Sequence, residues 1–124
     1  MKKFYKNKTV LITGHTGFKG SWLALMMFFL GAKVIGISLK PINKLNLYSL
    51  IKKFIHKNYI CDLKDYNNFC KIIYNHNPDI IFHLAAQALV FESYKNPYYT
   101  FNNNITITLN LLEICREFKI PKFI

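Results

Sequence analysis

The chain is 124 residues long, carries 17 lysines and arginines against 6 aspartates and glutamates for a formal charge of +11, and is 52% hydrophobic. That apolar content excludes a disordered segment, and the length fits one domain, residues 1–124, able to bury about two thirds of its unfolded surface. The charge does not single out a nucleic-acid binder. Every basic residue except Arg116 is a lysine, scattered apart from Lys2-Lys3 and Lys52-Lys53, whereas base edges and phosphate forks favour arginine.

Met1 to Lys8 is basic, but too few apolar residues follow it for a signal-peptide core. Lys8 to Thr13 is apolar and β-branched and predicts a buried strand. It runs into Gly14-His-Thr-Gly17-Phe-Lys-Gly20, with glycines three residues apart, and then into a helix from Lys19 to Leu30 closed by Gly31. The longest apolar run, Trp22 to Leu30, has nine residues, short of the ~18 needed to cross a bilayer, so no membrane segment is expected and the cytoplasm is the default. Within that run Met26 to Phe29 reads as ordinary core.

Lys33 to Leu39 predicts a second strand ended by Pro41, and Asn58 to Cys61 a short third. Asp62 and Asp65 are placed to cap a helix from Tyr66 to Asn75. Pro78-Asp79 restarts the chain before a fourth strand, Ile80 to Leu84. A long helix from about Pro97 to Phe118 follows, and Lys122 to Ile124 begins a fifth strand. Cys61, Cys70 and Cys115 are odd in number and lack C-x-x-C spacing, which predicts neither a disulfide framework nor a metal site.

Alternating strands and helices imply a parallel sheet covered on both faces, because right-handed crossovers join parallel neighbours compactly. The expected architecture is α/β, a Rossmann-type sheet in the order 3-2-1-4-5, truncated at the fifth strand. Ligands of such sheets lie beyond the carboxyl ends of the strands at the switch point, here between strands 1 and 4. A strand that ends in Gly-x-x-Gly-x-x-Gly and opens a helix presents bare backbone N–H groups and a positive helix end, which suits a diphosphate. Gly14 to Gly20, Ala85-Ala86-Gln87 and Asp62 reach that edge. Asp62 has a second reading as a helix cap. His83 reads as a half-buried histidine with its hydrogen bonds satisfied rather than as a base, and His15 lies inside the turn within reach of a phosphate.

Gly14-His-Thr-Gly-Phe-Lys-Gly-Ser-Trp-Leu23 resembles the opening motif of the CDP-glucose 4,6-dehydratases, in the NAD-dependent epimerase/dehydratase branch of the extended short-chain dehydrogenase/reductase superfamily. The likeness continues through Gly36-Ile-Ser-Leu39 with Pro41, Leu47-Tyr48, Cys61-Asp-Leu-Lys-Asp65 and Ile81-Phe-His-Leu-Ala-Ala-Gln87, and through Leu89-Val90, Ser93-Tyr94, Pro97, Asn104 and Leu111-Leu-Glu113. It implies that Gly14, Thr16, Gly17, Phe18 and Gly20 form the NAD diphosphate turn, that Asp62 and Leu63 contact adenine, and that Leu84, Ala85 and Ala86 line the ribose and nicotinamide side. It further implies that Gln87, Ser93 and Tyr94 face the sugar nucleotide and that Asn104 supports the site from the long helix.

The resemblance implies an internal redox cycle on CDP-glucose. Hydride leaves C4 of the glucose unit, the resulting ketone acidifies the C5 proton, water is lost across C5 and C6, and the hydride returns to C6 to give CDP-4-keto-6-deoxyglucose. The family carries its tyrosine base and lysine after the fifth strand, beyond Ile124, so no catalytic residue is assigned here. Tyr48 and Lys52 match the Tyr-x-x-x-Lys spacing but fall between the second and third strands. The expectation is therefore the N-terminal part of such an enzyme, inactive as this fragment, with a homodimer for the full-length protein. The second strand ends in Ser38-Leu39-Lys40 without the usual acidic ribose contact, which leaves NADP open through Lys40. Phe91 stands where relatives tend to carry a basic residue, and Ile107 where they carry glycine. The alternatives are another nucleotide-sugar epimerase or dehydratase and a non-catalytic nucleotide-binding module.

Overall fold

The computed structural model describes residues 1–41 and 45–124. In chain order the elements are α1 (Lys2–Tyr5), β1 (Thr9–Thr13), α2 (Phe18–Phe29), β2 (Lys33–Ser38), α3 (Leu47–Ile51) with a 3-10 turn at Lys52–Phe54, β3 (Lys57–Ile60), α4 (Tyr66–His76), β4 (Ile80–His83), α5 (Val90–Lys95) and α6 (Pro97–Glu117). Strands β3, β2, β1 and β4 form one parallel sheet in that order. The last segment extends it in the place expected of a fifth strand. Phe123 bridges Ile81 in parallel, the Ile81 and His83 amides donate to Lys122 and Ile124, and the Ile124 amide returns to Ile81.

Every residue from Val10 to Thr13 is fully buried, because β1 is central and its alternate side chains enter opposite layers. Leu11 packs with Ile35, Ile37, Phe69, Ile73, Leu111 and Ile114 under α4 and α6. Val10 and Ile12 pack with Ala24, Met27, Val34, Ile51 and Ile55 under α2 and α3; of the Met26–Phe29 run expected as core only Met27 is buried, because the other three lie on the outward side of α2 and are exposed. Each large side chain so buried contributes roughly 1.5–3 kcal/mol, and the two layers cover both faces of the sheet.

The helices stop and start where the sequence offers caps. Gly31, at φ +86°, closes α2: its N–H donates to Phe28 and that of Ala32 to Met27, the paired bonds of a Schellman turn. The Asp65 carboxylate accepts from Asn68 N–H at the start of α4, and Asn96 from Tyr99 N–H at the start of α6, where Pro97 needs no partner. The short helices α1, α3 and α5 were not expected from the sequence.

Asp79 locks β4 onto β1 at the closed end of the sheet. Its Oδ2 accepts the Thr9 N–H at 2.8 Å, its Oδ1 pairs with Lys8 Nζ at 2.9 Å, and its N–H donates to the Thr9 carbonyl. Lys8 first and the Thr9 amide next hold this carboxyl below the usual aspartate range. Its stabilisation is complete above the ordinary value and is lost as pH falls through the lowered one. The group is part-exposed, so the expected effect of Asp79→Ala is modest, about 1 kcal/mol at neutral pH. Urea unfolding at neutral and acidic pH checks this, with the difference between the two proteins vanishing in acid.

Candidate functional site

The turn leaves β1 while still bonded to the sheet, the Gly14 N–H donating to the Ile37 carbonyl at 2.8 Å. Gly14 sits at φ +73°, and a Cβ there would come within 2.8 Å of the Leu84 carbonyl carbon and the Ala85 nitrogen. The backbones leaving β1 and β4 therefore touch, and their contact forms the floor of the crevice at the switch point. Inside the turn, Gly17 N–H donates to Gly14 at 3.0 Å and the buried Ser21 hydroxyl to the His15 carbonyl at 2.9 Å. A Cβ on Gly20 would overlap the Gly14 carbonyl, so α2 can begin this close only with glycine there. Phe18 is exposed at the lip.

His15 does not point outward to meet a phosphate. It is fully buried, with Nε2 3.1 Å from Asn58 Oδ1 of β3 and its ring edge-on to Tyr48 at 5.2 Å between centroids. The ring lies so close over Gly36 that a Cβ there would overlap its Cγ and Cδ2 atoms. Nδ1 is buried with no hydrogen-bond partner among the described residues. Burial lowers the pKa of this imidazole, and the Ile37 backbone and Asn58 offset part of the effect.

Thr16 joins the turn to the end of β2. Its hydroxyl donates to the Leu39 carbonyl at 3.0 Å, so the Ser38 hydroxyl, 2.7 Å away, donates to it. A pair of hydroxyls thus occupies the place where an acidic side chain was absent from the sequence. Asp62, after β3, accepts from Lys64 N–H and keeps an exposed carboxylate at the same edge, while Leu63 is buried and its carbonyl accepts from Asn110.

The exit of β4 is held by hydrogen bonds on both sides. Thr13 Oγ1 accepts from the N–H groups of Leu84 and Ala85, each at 3.1 Å, and lies 2.8 Å from His83 Nδ1. His83 Nε2 lies 3.2 Å from Thr108 Oγ1 of α6, so both ring nitrogens have partners, as the sequence reading expected. Further up α6, Asn104 Oδ1 accepts the Gln87 N–H at 2.7 Å and its Nδ2 donates to the Gln87 carbonyl at 3.1 Å. Asn104 is thereby a clamp on the strand exit.

The Gln87 amide is engaged within its own loop, donating to Leu89 and Thr100 and accepting from Leu89 N–H. On α5, the Ser93 hydroxyl donates to Val90 and Tyr94 is exposed. Sequence reasoning missed Thr13, Ser38, Asn58 and Thr108, although a hydroxyl ending an otherwise apolar strand is a readable sign for the first two. Asn104→Ala is expected to free the Gln87 backbone and weaken dinucleotide binding about tenfold, the effect of roughly one charge-free hydrogen-bonded contact. Calorimetric titration measures it. Among the described residues, no cluster of three or more metal-ligating side chains occurs and no helix is long and apolar enough to cross a membrane.

A parallel sheet with this glycine turn at its switch point defines a Rossmann-type domain of the kind that holds dinucleotides. Residues 11–124 match the family described as GDP-mannose 4,6 dehydratase, and the chain belongs to that family. It is 38% identical over 117 residues to the CDP-glucose 4,6-dehydratase of Salmonella typhimurium, an alignment covering 94% of this chain and 33% of that protein. It superimposes on UDP-glucose 4-epimerase from Thermotoga maritima with a TM-score of 0.83 at 30% identity, over 93% of this chain and 36% of that one. The UDP-glucose 4-epimerase of Thermus thermophilus, solved in complex with NAD, gives the same TM-score, identity and coverage. The chain spans about a third of the length of these relatives.

Proposed function

We propose that these 124 residues are the NAD-binding portion of a cytoplasmic nucleotide-sugar dehydratase that converts CDP-glucose to CDP-4-keto-6-deoxyglucose. The observation that carries the reading is the Gly14–Gly20 turn packed onto the exit of β4, within a chain 38% identical to a CDP-glucose 4,6-dehydratase. When bound, NAD supplies the hydride acceptor and donor of the cycle.

This chain's residues bind and orient. The turn from Gly14 through Thr16, Gly17 and Phe18 to Gly20 offers N–H groups and the start of α2 to the diphosphate. Ser38 and Thr16 offer hydroxyls to the adenosine ribose, with Asp62 and Leu63 at the adenine. Leu84, Ala85 and Ala86 form the wall beside the nicotinamide, held by Thr13 and by Asn104 through Gln87. Gln87, Ser93 and Tyr94 stand on the substrate side. The exposed stripe Tyr98, Phe101, Ile105, Leu109 and Leu112 on α6 supports a homodimer of the whole enzyme through this helix.

Titrating the chain with NAD by calorimetry tests the cofactor reading, and no heat of binding sinks it. Incubating the enzyme that contains the chain with CDP-glucose and NAD tests the reaction, the expected product being lighter by one water. The similarity to UDP-glucose 4-epimerases favours a second reading, an epimerase, which predicts turnover of UDP-glucose at unchanged mass and none of CDP-glucose.

A further inference from the structure

The hydrogen bonds around His83 favour one direction. Thr13 Oγ1 accepts from the Ala85 N–H and from the Leu84 N–H, the latter shared with the Thr13 carbonyl at 3.3 Å, which leaves its own proton for His83 Nδ1. Thr108 gives its proton to the Asn104 carbonyl at 2.8 Å, so its oxygen receives one from His83 Nε2. This pattern fits a neutral ring protonated on Nε2. The chain of bonds continues through Asn104 into both backbone groups of Gln87. It ties the end of β1, the exit of β4 and α6 into one unit around the crevice.

We propose that His83 is the positioning residue of this crevice, a lock that aligns the Leu84–Gln87 wall with the glycine turn while the ring is neutral, so that acidification releases the dinucleotide. The proposal rests on the crevice being a dinucleotide site. A proton on Nδ1 turns the acceptor of Thr13 into a donor. Thr13 Oγ1 then has three donors for two lone pairs and no acceptor for its own hydrogen, so either the Ala85 amide is let go or the Leu84 amide shifts wholly onto the Thr13 carbonyl, and the wall moves in both cases.

The groups facing His83 are Thr13 from β1, Thr108 from α6, and from the last segment Phe123, 6.3 Å away between centroids, and Ile124, whose main-chain oxygen accepts the His83 backbone N–H. None of these four carries a charged side chain. Lys122 leans over Phe4 instead, and Glu113 and Arg116 of α6 pair with each other. Burial, with no other influence resolved, pushes the imidazole below the usual histidine range. The lock is therefore complete above the ordinary value of about 6.5 and is lost as pH falls through the lowered one.

The test is a pH titration of the nitrogen-15-labelled chain by NMR, followed by NAD titrations over the same range. At slightly alkaline pH His83 is expected as the Nε2–H tautomer, and the Leu84 and Ala85 amide shifts move with its midpoint. NAD affinity is flat above that midpoint and falls about tenfold per pH unit below it. His83→Asn, whose Oδ1 takes the Nδ1 position, loses the pH step and weakens binding less than His83→Gln, which leaves Thr13 without an acceptor. An Nδ1–H tautomer, amides indifferent to the titration, or the same step in His83→Asn overturns the proposal. His15 titrates as a separate signal and has no bond to either amide. Absence of NAD binding at every pH overturns the dinucleotide reading, while the amide titration independently decides whether the lock exists.

Discussion

Gly14→Ala is expected to destabilise the fold by roughly 2–4 kcal/mol and to lower NAD affinity at least about 100-fold. Two costs add. An L side chain at φ +73° carries the left-handed backbone penalty, of order 1–2 kcal/mol. The new Cβ also meets backbone atoms of Leu84 and Ala85 at 2.8–2.9 Å, and unlike the far end of a flexible side chain these cannot turn away. Relief comes only by parting the exits of β1 and β4, which moves the turn off the wall and breaks the Thr13 bonds to the Leu84 and Ala85 amides. Urea unfolding reads the first number and calorimetric titration the second. An unfolding midpoint equal to that of the parent would mean that the two exits are not held together as described.

The second large effect is a coupling. Gly36→Ala places a methyl group inside the His15 ring, and the ring is fixed by Asn58 on one side and Tyr48 on the other. The expected cost is about 1–3 kcal/mol, that of overpacking a core. His15→Ala alone leaves a cavity between the turn and β2, at a cost of a similar order. Together the substitutions suit each other, because the alanine methyl at position 36 enters the space that the ring vacates. The double variant is therefore expected to be at least about 1 kcal/mol more stable than the sum of the single changes predicts. A double-mutant cycle by denaturant unfolding measures this, and additivity within about 0.5 kcal/mol would show that the ring and Gly36 do not contend for one volume.

The sheet order and the main helices were legible because their signals are local. Thr9 to Gly20 announces strand, turn and helix by an apolar run and glycine spacing, and Asp65, Pro97 and Gly31 mark helix ends within a few residues of where they act. Helices α1 and α3 were illegible for the opposite reason. Pieces of four and five residues are too short to show periodicity. The site divides in the same way. The turn was visible in its spacing, whereas the contacts that stiffen it join residues far apart: Thr13 with His83 across 70 positions and His15 with Asn58 across 43. Gln87 shows the difference most plainly. Its place after β4 followed from the strand pattern, but the attachment of its side chain to Leu89 and Thr100 depends on how α6 approaches the loop.

The overlap between the His15 ring and any side chain at position 36 also bears on the order in which this sequence can change. While histidine occupies position 15, every replacement of Gly36 passes through an overpacked protein, and losing the ring first passes instead through one with a cavity of similar cost. The two positions face each other across a valley in sequence space: either order of change crosses a destabilised single variant, so the pair changes together or stays as it is.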